Sequence, residues 1–363
     1  MFQVSVQSQA IATKISPKGS PSERLWIIAE APLPKDIDSG YLFSSAMGWS
    51  FDKLLGEAGL SRYYITYFED SNVQATFDSI NKYRPPLVVC LDKSISHFFP
   101  NIKRKEEVSL WAGSLLQSDR LSFPHYLVPT FGPEVCVSDW TERQIVKYID
   151  LGKVRDELEY NKATNLLRPL KARQLLVDLD FNQILFYLSE WRTLATPLSV
   201  DIETIYPKKG SNLYDHPGYP IVVGIAISDN FGISFPLFVF EWTTEQSIKL
   251  WRALSLLLED REIIGQNFHS FDSWYFDMLG IRIDRFKILD TMHRHAVLWP
   301  ELPHKLQFLT RQYTRQPYYK SEGKGWSIKD LTGLKRYNAL DCCVTYEVYN
   351  AQEGEFRLRP HLR

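Results

Sequence analysis

Residues 198–204 read LSVDIET, an apolar run that ends in two carboxylates, Asp201 and Glu203, one residue apart. Side chains on a strand alternate between its faces, so positions i and i+2 point the same way and both acids converge on one point. Like charges held together repel unless a cation neutralises them, and a cluster of oxygen donors alone suits Mg²⁺ or Mn²⁺. A lone pair of this kind is weak evidence, since most are solvated.

Two further stretches give it company. After the strand-like EIIGQ comes NFHSFD, which sets Asn267, Phe271 and Asp272 just past a strand end, where catalytic groups gather in α/β sheets. The plainer explanation of that segment is a helix start capped by Asn267 or Ser270. Later, YNALD lies inside a helical pattern, and positions i and i+4 of a helix share a face, so Tyr337 and Asp341 project side by side. Taken alone, this is also what a packed tyrosine beside an unrelated surface aspartate would look like. The four carboxylates are evenly spread, with 69 residues from Glu203 to Asp272 and 69 from Asp272 to Asp341.

Around these motifs the second half reads as three strands in meander, LSVDIET, PIVVGIAIS and GISFPLFVF, and then alternating helix and strand. That order suits a mixed five-stranded sheet flanked by helices over residues 196–363. The first half, residues 1–150, alternates short apolar strands (RLWIIAEA, PPLVVCLD, HYLVPTFGP) with helical segments such as WSFDKLLGEAGL, the pattern of an α/β sandwich. Residues 151–195 turn helical and charged and are expected to form a connector, with a helix near 181–193.

Bulk composition narrows the classes. With 42 basic and 43 acidic residues the net charge is −1, whereas a protein that grips nucleic acid mainly by charge carries a basic excess. Any contact with nucleic acid is therefore local, or acidic ligands offset a basic surface. Lys103-Arg104-Lys105 and Lys208-Lys209 would meet phosphate or lie in solvent. Aromatic residues make up 14% of the chain, which serves a large core or base stacking. No run reaches the roughly 18 apolar residues that span a bilayer. The N-terminus lacks a basic-then-apolar leader, and four cysteines form no CxxC pair, so reduced thiols in a cytoplasmic compartment are expected.

Taken together, DIET, NFHSFD and YNALD resemble the three signatures of the 3′–5′ proofreading exonuclease domain of family A DNA polymerases, in its DEDDy group with a ribonuclease-H-like fold. The resemblance covers about residues 196–351, and LDTMHRHAVLWPELPHKLQFLTRQYT is similar to the stretch between the second and third signatures in phage polymerases. It implies that Asp201, Glu203, Asp272 and Asp341 hold two divalent cations, Mg²⁺ or Mn²⁺, about 4 Å apart around the scissile phosphate. It further implies that Tyr337 orients the attacking water and that Thr204, Asn267 and Phe271 position the terminal nucleotide. His269 would then be a substrate contact, a neighbour of the ligands or a structural histidine, not a base. The expected partners are a DNA 3′ end and a polymerase, with no membrane. Trimming of RNA 3′ ends and a non-catalytic role in replication assembly are the alternatives.

Residues 24–140 resemble the uracil-DNA glycosylase superfamily, nearest its iron–sulfur type, through AEAP (29–32), GYLFSSAMGWSFDKLLGEAGL (40–60), YYIT (63–66), PPLVVCLD and VPTFGP. The departures fall on the chemistry. Leu33 stands where that family has glycine, Tyr67 where it has the base-reading asparagine, and Gly132-Pro133 where it has His-Pro. Only Cys90 and Cys136 lie in this half, so no iron–sulfur cluster is expected, and the fold would serve scaffolding, DNA contact or partner binding. No palm or fingers follow EGEFRLRPHLR, so synthesis is expected from a separate chain or from a larger parent enzyme.

Overall fold

Leu25–Ala29, Leu87–Leu91 and Tyr126–Thr130 are buried at every position, as expected of parallel strands covered on both faces. They belong to the first of two units, Met1–Pro169 and Leu170–Arg363, in a computed structural model that describes residues 15–69, 72–100, 105–205, 218–237, 241–284, 287–320, 325, 327 and 330–362. Lys103, Arg104, Lys208 and Lys209 lie outside the described residues.

In chain order the first unit runs β1 (Leu25–Ala29), α1 (Pro34–Ser39), α2 (Ala46–Glu57), β2 (Tyr64–Tyr67), α3 (Val73–Tyr83), β3 (Leu87–Leu91), α4 (Lys105–Trp111), β4 (Tyr126–Thr130), α5 (Pro133–Ser138), α6 (Trp140–Ile145) and α7 (Leu151–Thr164). Among the described residues its sheet has four parallel strands in the order β2-β1-β3-β4. Side-chain caps start the helices where the sequence offers them: Ser45 accepts from Gly48 N at 3.1 Å, and Asp139 from Glu142 N at 3.0 Å. The buried Asp36 carboxylate accepts from the backbone N–H groups of Phe43 (2.8 Å) and Ser45 (2.9 Å), so the turn before α2 is held from inside.

The second unit runs β5 (Gln174–Leu176), α8 (Phe181–Arg192), β6 (Leu198–Ile205), β7 (Tyr219–Ala226), β8 (Phe231–Pro236), α9 (Thr244–Leu258), β9 (Ile263–Gly265), α10 (Asp272–Met278), β10 (Ile288–Asp290), α11 (Thr291–Leu298), α12 (Leu306–Tyr313) and α13 (Thr332–Leu358). Its sheet is mixed, in the order β10-β9-β6-β7-β8-β5, with β6-β7-β8 antiparallel and the outer pairings parallel. The chain is thus an α/β protein with one parallel and one mixed sheet.

Two expectations change with the fold. Among the described residues the sheet of the second unit has six strands rather than five, because Gln174–Leu176 pairs with β8. Three residues in a charged stretch carry no period-2 signature. What holds them is outside the strand: Lys171 pairs with Asp229 and Glu347, and Arg173 with Glu347. Nor do residues 151–195 form a connector. α7 buries Leu151, Val154 and Leu158 in the first unit, where Arg24 Nη1 donates to Asn161 Oδ1 at 2.7 Å. α8 buries Ile184, Leu188 and Trp191 in the core of the second. An amphipathic helix buries its stripe against the nearest open sheet face, and charge on its outer side does not reveal which.

Alternation along the central strands sorts the second unit into two faces. Val200 and Ile202 of β6, Val223 and Ile225 of β7, and Ile233 and Phe235 of β8 enter a core shared with α8 and α9. The residues between them, Asp201, Gly224, Gly232 and Ser234, face α13. Small side chains there let the helix approach closely: a Cβ on Gly232 would lie 2.9 Å from Cys343 Sγ. All four cysteines are buried free thiols. Among the described residues no helix is long and apolar enough to cross a membrane.

Candidate active site

β6 carries Asp201 and Glu203 toward α13, and α13 returns Asp341 to them. One carboxylate oxygen from each of the three lies within 4.8 Å of the others. The pocket strains its own charge. Burial pushes the Asp201 carboxyl up to about 7, with the Asp341 charge adding to the effect and Lys320 and Asn338 opposing it. Glu203 rises to about 9 through burial and the charges of Asp201 and Asp341. An oxygen-only set of crowded carboxylates fits a hard divalent cation, which would relieve that repulsion.

Asp272 sits beside this group and not in it. It opens α10, is 2% exposed, and its Oδ1 accepts from Ile202 N at 3.1 Å. β9 pairs with β6 only through Leu198 and Ser199, so Asp272 takes up a strand N–H beyond the end of the ladder. Burial, and then the Asp201 charge, raise its carboxyl well above the usual range.

Tyr337 stands one turn before Asp341 on α13. Its hydroxyl accepts from Lys320 Nζ at 2.8 Å, and burial and the charges of Asp341, Asp201 and Glu203 push its phenol upward. Thr204 follows Glu203 on β6, across a register shift in its pairing with β7. Asn267 lies past β9 with φ 59°, in the left-handed region, and Phe271 immediately precedes α10, its ring edge-on to Tyr275 at 5.2 Å. The His269 ring stacks on His293 at 5.3 Å.

Five residues absent from the sequence-based expectation organise the site. Asn338 Nδ2 donates to Asp201 Oδ2 at 2.7 Å, while its Oδ1 accepts from Ser234 Oγ at 2.8 Å. Gly224, opposite Asp201 on β7, leaves room for it. Tyr319 Oη donates to Asp341 Oδ1 at 2.5 Å, and Lys320 Nζ to Asp341 Oδ2 at 2.6 Å. Asp290 accepts from the N–H groups of Asn267 (3.0 Å), His269 (3.3 Å) and Met292 (2.9 Å), so one buried carboxylate shapes the NFHSFD turn and caps α11. Asn338 was legible in principle, three residues from Asp341 on the same helical face. Asp290 had the cap position before a helical run. Tyr319 and Lys320 come after α12 in a stretch with no local signal.

Residues 187–355 match the family of 3′-5′ exonuclease domains of the DNA polymerase A type. No curated protein matches the chain. Among solved structures, the POL domain of Pol1 from M. smegmatis, in complex with DNA primer-template and dNTP, aligns at 15% identity and TM-score 0.37, over 51% of this chain and 28% of that one. A nuclease in its apo form aligns at 12% identity and TM-score 0.38, over 53% and 84%. The RNase domain of the yeast Pop2 protein aligns at 10% identity and TM-score 0.34, over 53% and 91%. The chain thus spans well under half of the first of these structures.

Proposed function

We propose that the second unit is a DEDDy-type, ribonuclease-H-like exonuclease that removes nucleotides from DNA 3′ ends and proofreads for a polymerase on the same or a separate chain. The observation that carries this reading is the meeting of Asp201, Glu203 and Asp341 within 4.8 Å, inside the stretch that matches a 3′-5′ exonuclease family. Those three carboxylates would hold one divalent cation, and Asp272, beside Asp201, would help to hold a second. Bound there, the pair would supply Lewis-acid stabilisation of the charge on the phosphate and the leaving 3′ oxygen.

The chain's own residues do the rest. The Tyr337 hydroxyl accepts from Lys320, which fixes its position, and would align the attacking water. Water adds to phosphorus, the bond to the 3′ oxygen breaks, and a nucleoside 5′-monophosphate leaves while the shortened strand keeps a 3′ hydroxyl. Thr204, Asn267 and Phe271 would position the terminal nucleotide, with Asp290 holding the backbone under Asn267. His269, stacked on His293, would be a structural histidine or a substrate contact rather than a base.

The test is degradation of 3′-labelled single-stranded DNA with Mg²⁺ or Mn²⁺, alongside a matched RNA oligonucleotide. Asp201→Ala should abolish the activity, and an unchanged rate in that variant ends the assignment. Preference for the RNA substrate would replace DNA by RNA trimming, and inactivity of the wild-type chain with every cation would favour a binding role.

For the first unit we infer a glycosylase-like scaffold without base excision. A cavity of about 300 Å³ opens at the strand ends between Glu30, Leu33, Asp92 and Pro133, where neither an amide nor a histidine lines it. Release of uracil from uracil-containing DNA would overturn this.

A further inference from the structure

Both oxygens of Asp341 are held from one dipeptide. Tyr319 donates to Oδ1 and Lys320 to Oδ2, and the same Lys320 ammonium donates to the Tyr337 hydroxyl. The Lys320 cation also lies 4.8 Å from the centroid of the Tyr337 ring and 5.3 Å from that of Tyr319. Its side chain is 21% exposed, so the charge is largely withdrawn from water and answered by Asp341 and two aromatic faces. No feature of the three signature motifs requires a lysine here. A methionine of similar length would fill the space without the charge.

We propose that Lys320 is a positioning residue of the hydrolytic site, an internal counter-cation that occupies Asp341 until a divalent ion displaces it and holds the Tyr337 hydroxyl throughout. The inference deepens the exonuclease reading and rests on it for the hydrolytic part alone. Loss of the ammonium would act in two opposite directions. It competes with an incoming cation for Asp341 Oδ2 and repels it, so removing the charge should tighten cation binding. It also fixes the hydroxyl that aligns water, so removing it should slow hydrolysis. A lysine that merely supported the fold would, on removal, weaken both.

The experiment compares the full wild-type chain with Lys320→Met and Lys320→Arg by calorimetric titration with Mn²⁺ and by single-turnover cleavage of 3′-labelled single-stranded DNA at saturating Mn²⁺. The expected result is Mn²⁺ binding tighter by roughly fivefold in Lys320→Met and cleavage slower by roughly tenfold or more. Lys320→Arg, which keeps the charge and the donors, should fall near wild type in both. Mn²⁺ affinity that is unchanged or weakened in Lys320→Met, or cleavage that is unchanged, overturns the proposal. If the wild-type chain cleaves nothing, the nuclease reading fails, and the calorimetry alone still decides whether Lys320 competes with the cation.

Discussion

Asn338 Nδ2 donates to Asp201 Oδ2 at 2.7 Å, which ties α13 to β6 at the two elements that bring the carboxylates together. The bond depends on what is missing opposite it. A Cβ on Gly224 would fall 2.4 Å from Asn338 Oδ1 and 2.8 Å from Cys342 Sγ.

Gly224→Ala is therefore expected to push α13 off the sheet although Gly224 contributes no functional group. The loss should be about 1–3 kcal/mol of stability, as for overpacked cores, together with most of the nuclease activity. Denaturant unfolding and a cleavage assay check it. Gly354→Ala is the control: nothing lies within 4 Å of its added Cβ, so stability should hold or rise by about 0.5–1 kcal/mol, as for alanine over glycine in a helix.

Asp272 separates a structural from a chemical role. Asp272→Ala strands the buried Ile202 N–H and should cost about 1–3 kcal/mol. Asp272→Asn keeps an acceptor oxygen for that N–H and removes a charge crowded by Asp201. It should unfold near wild type in chelator, while both variants lose cleavage. Equal destabilisation by the two would show that the Ile202 bond is not what the side chain supplies.

Cation binding should depend on pH. Asp201 is raised to about 7 and Glu203 to about 9, so below those values the protonated forms dominate in the cation-free site. A cation takes the ionised forms, so protons are released on binding and apparent affinity climbs as pH rises through 7 toward 9, then flattens. Calorimetry at pH 7 in two buffers of different ionisation enthalpy measures the release. Identical heats in both, after correction for dilution, would contradict it.

Asp290 is not one of the three grouped carboxylates, but it shapes the turn that carries Asn267 and Phe271. Asp290→Ala removes the acceptor of three N–H groups, and a loss of about 2–3 kcal/mol is expected if one or two are left unsatisfied. On the proposed role of Asn267 and Phe271 in positioning the terminal nucleotide, KM for single-stranded DNA should rise more than kcat falls. Steady-state cleavage kinetics separate the two.

Much of this site was legible along the chain because its signals are local. Strand alternation places Asp201 and Glu203 on one face, and the helical repeat places Tyr337 above Asp341, whatever the rest of the fold does. The apolar runs that became β1, β3 and β4 marked buried strands in an α/β arrangement for the same reason, while their parallel pairing came only with the fold. β5 escaped because a three-residue edge strand is defined by its neighbour, and α7 and α8 were merged into a connector because their buried stripes point to different units.

By itself, then, the amino-acid order determined which acids exist, which pairs share a face, and that an oxygen-only set suited to a divalent cation was on offer. Only the tertiary structure decided that Tyr319 and Lys320 close on Asp341, that Asn338 reaches Asp201 across a glycine, and that Asp272 spends an oxygen on Ile202. Periodicity reports the orientation of a side chain within its own element. It is silent on the partner that a distant element delivers, and in this site such partners set the charge of the pocket.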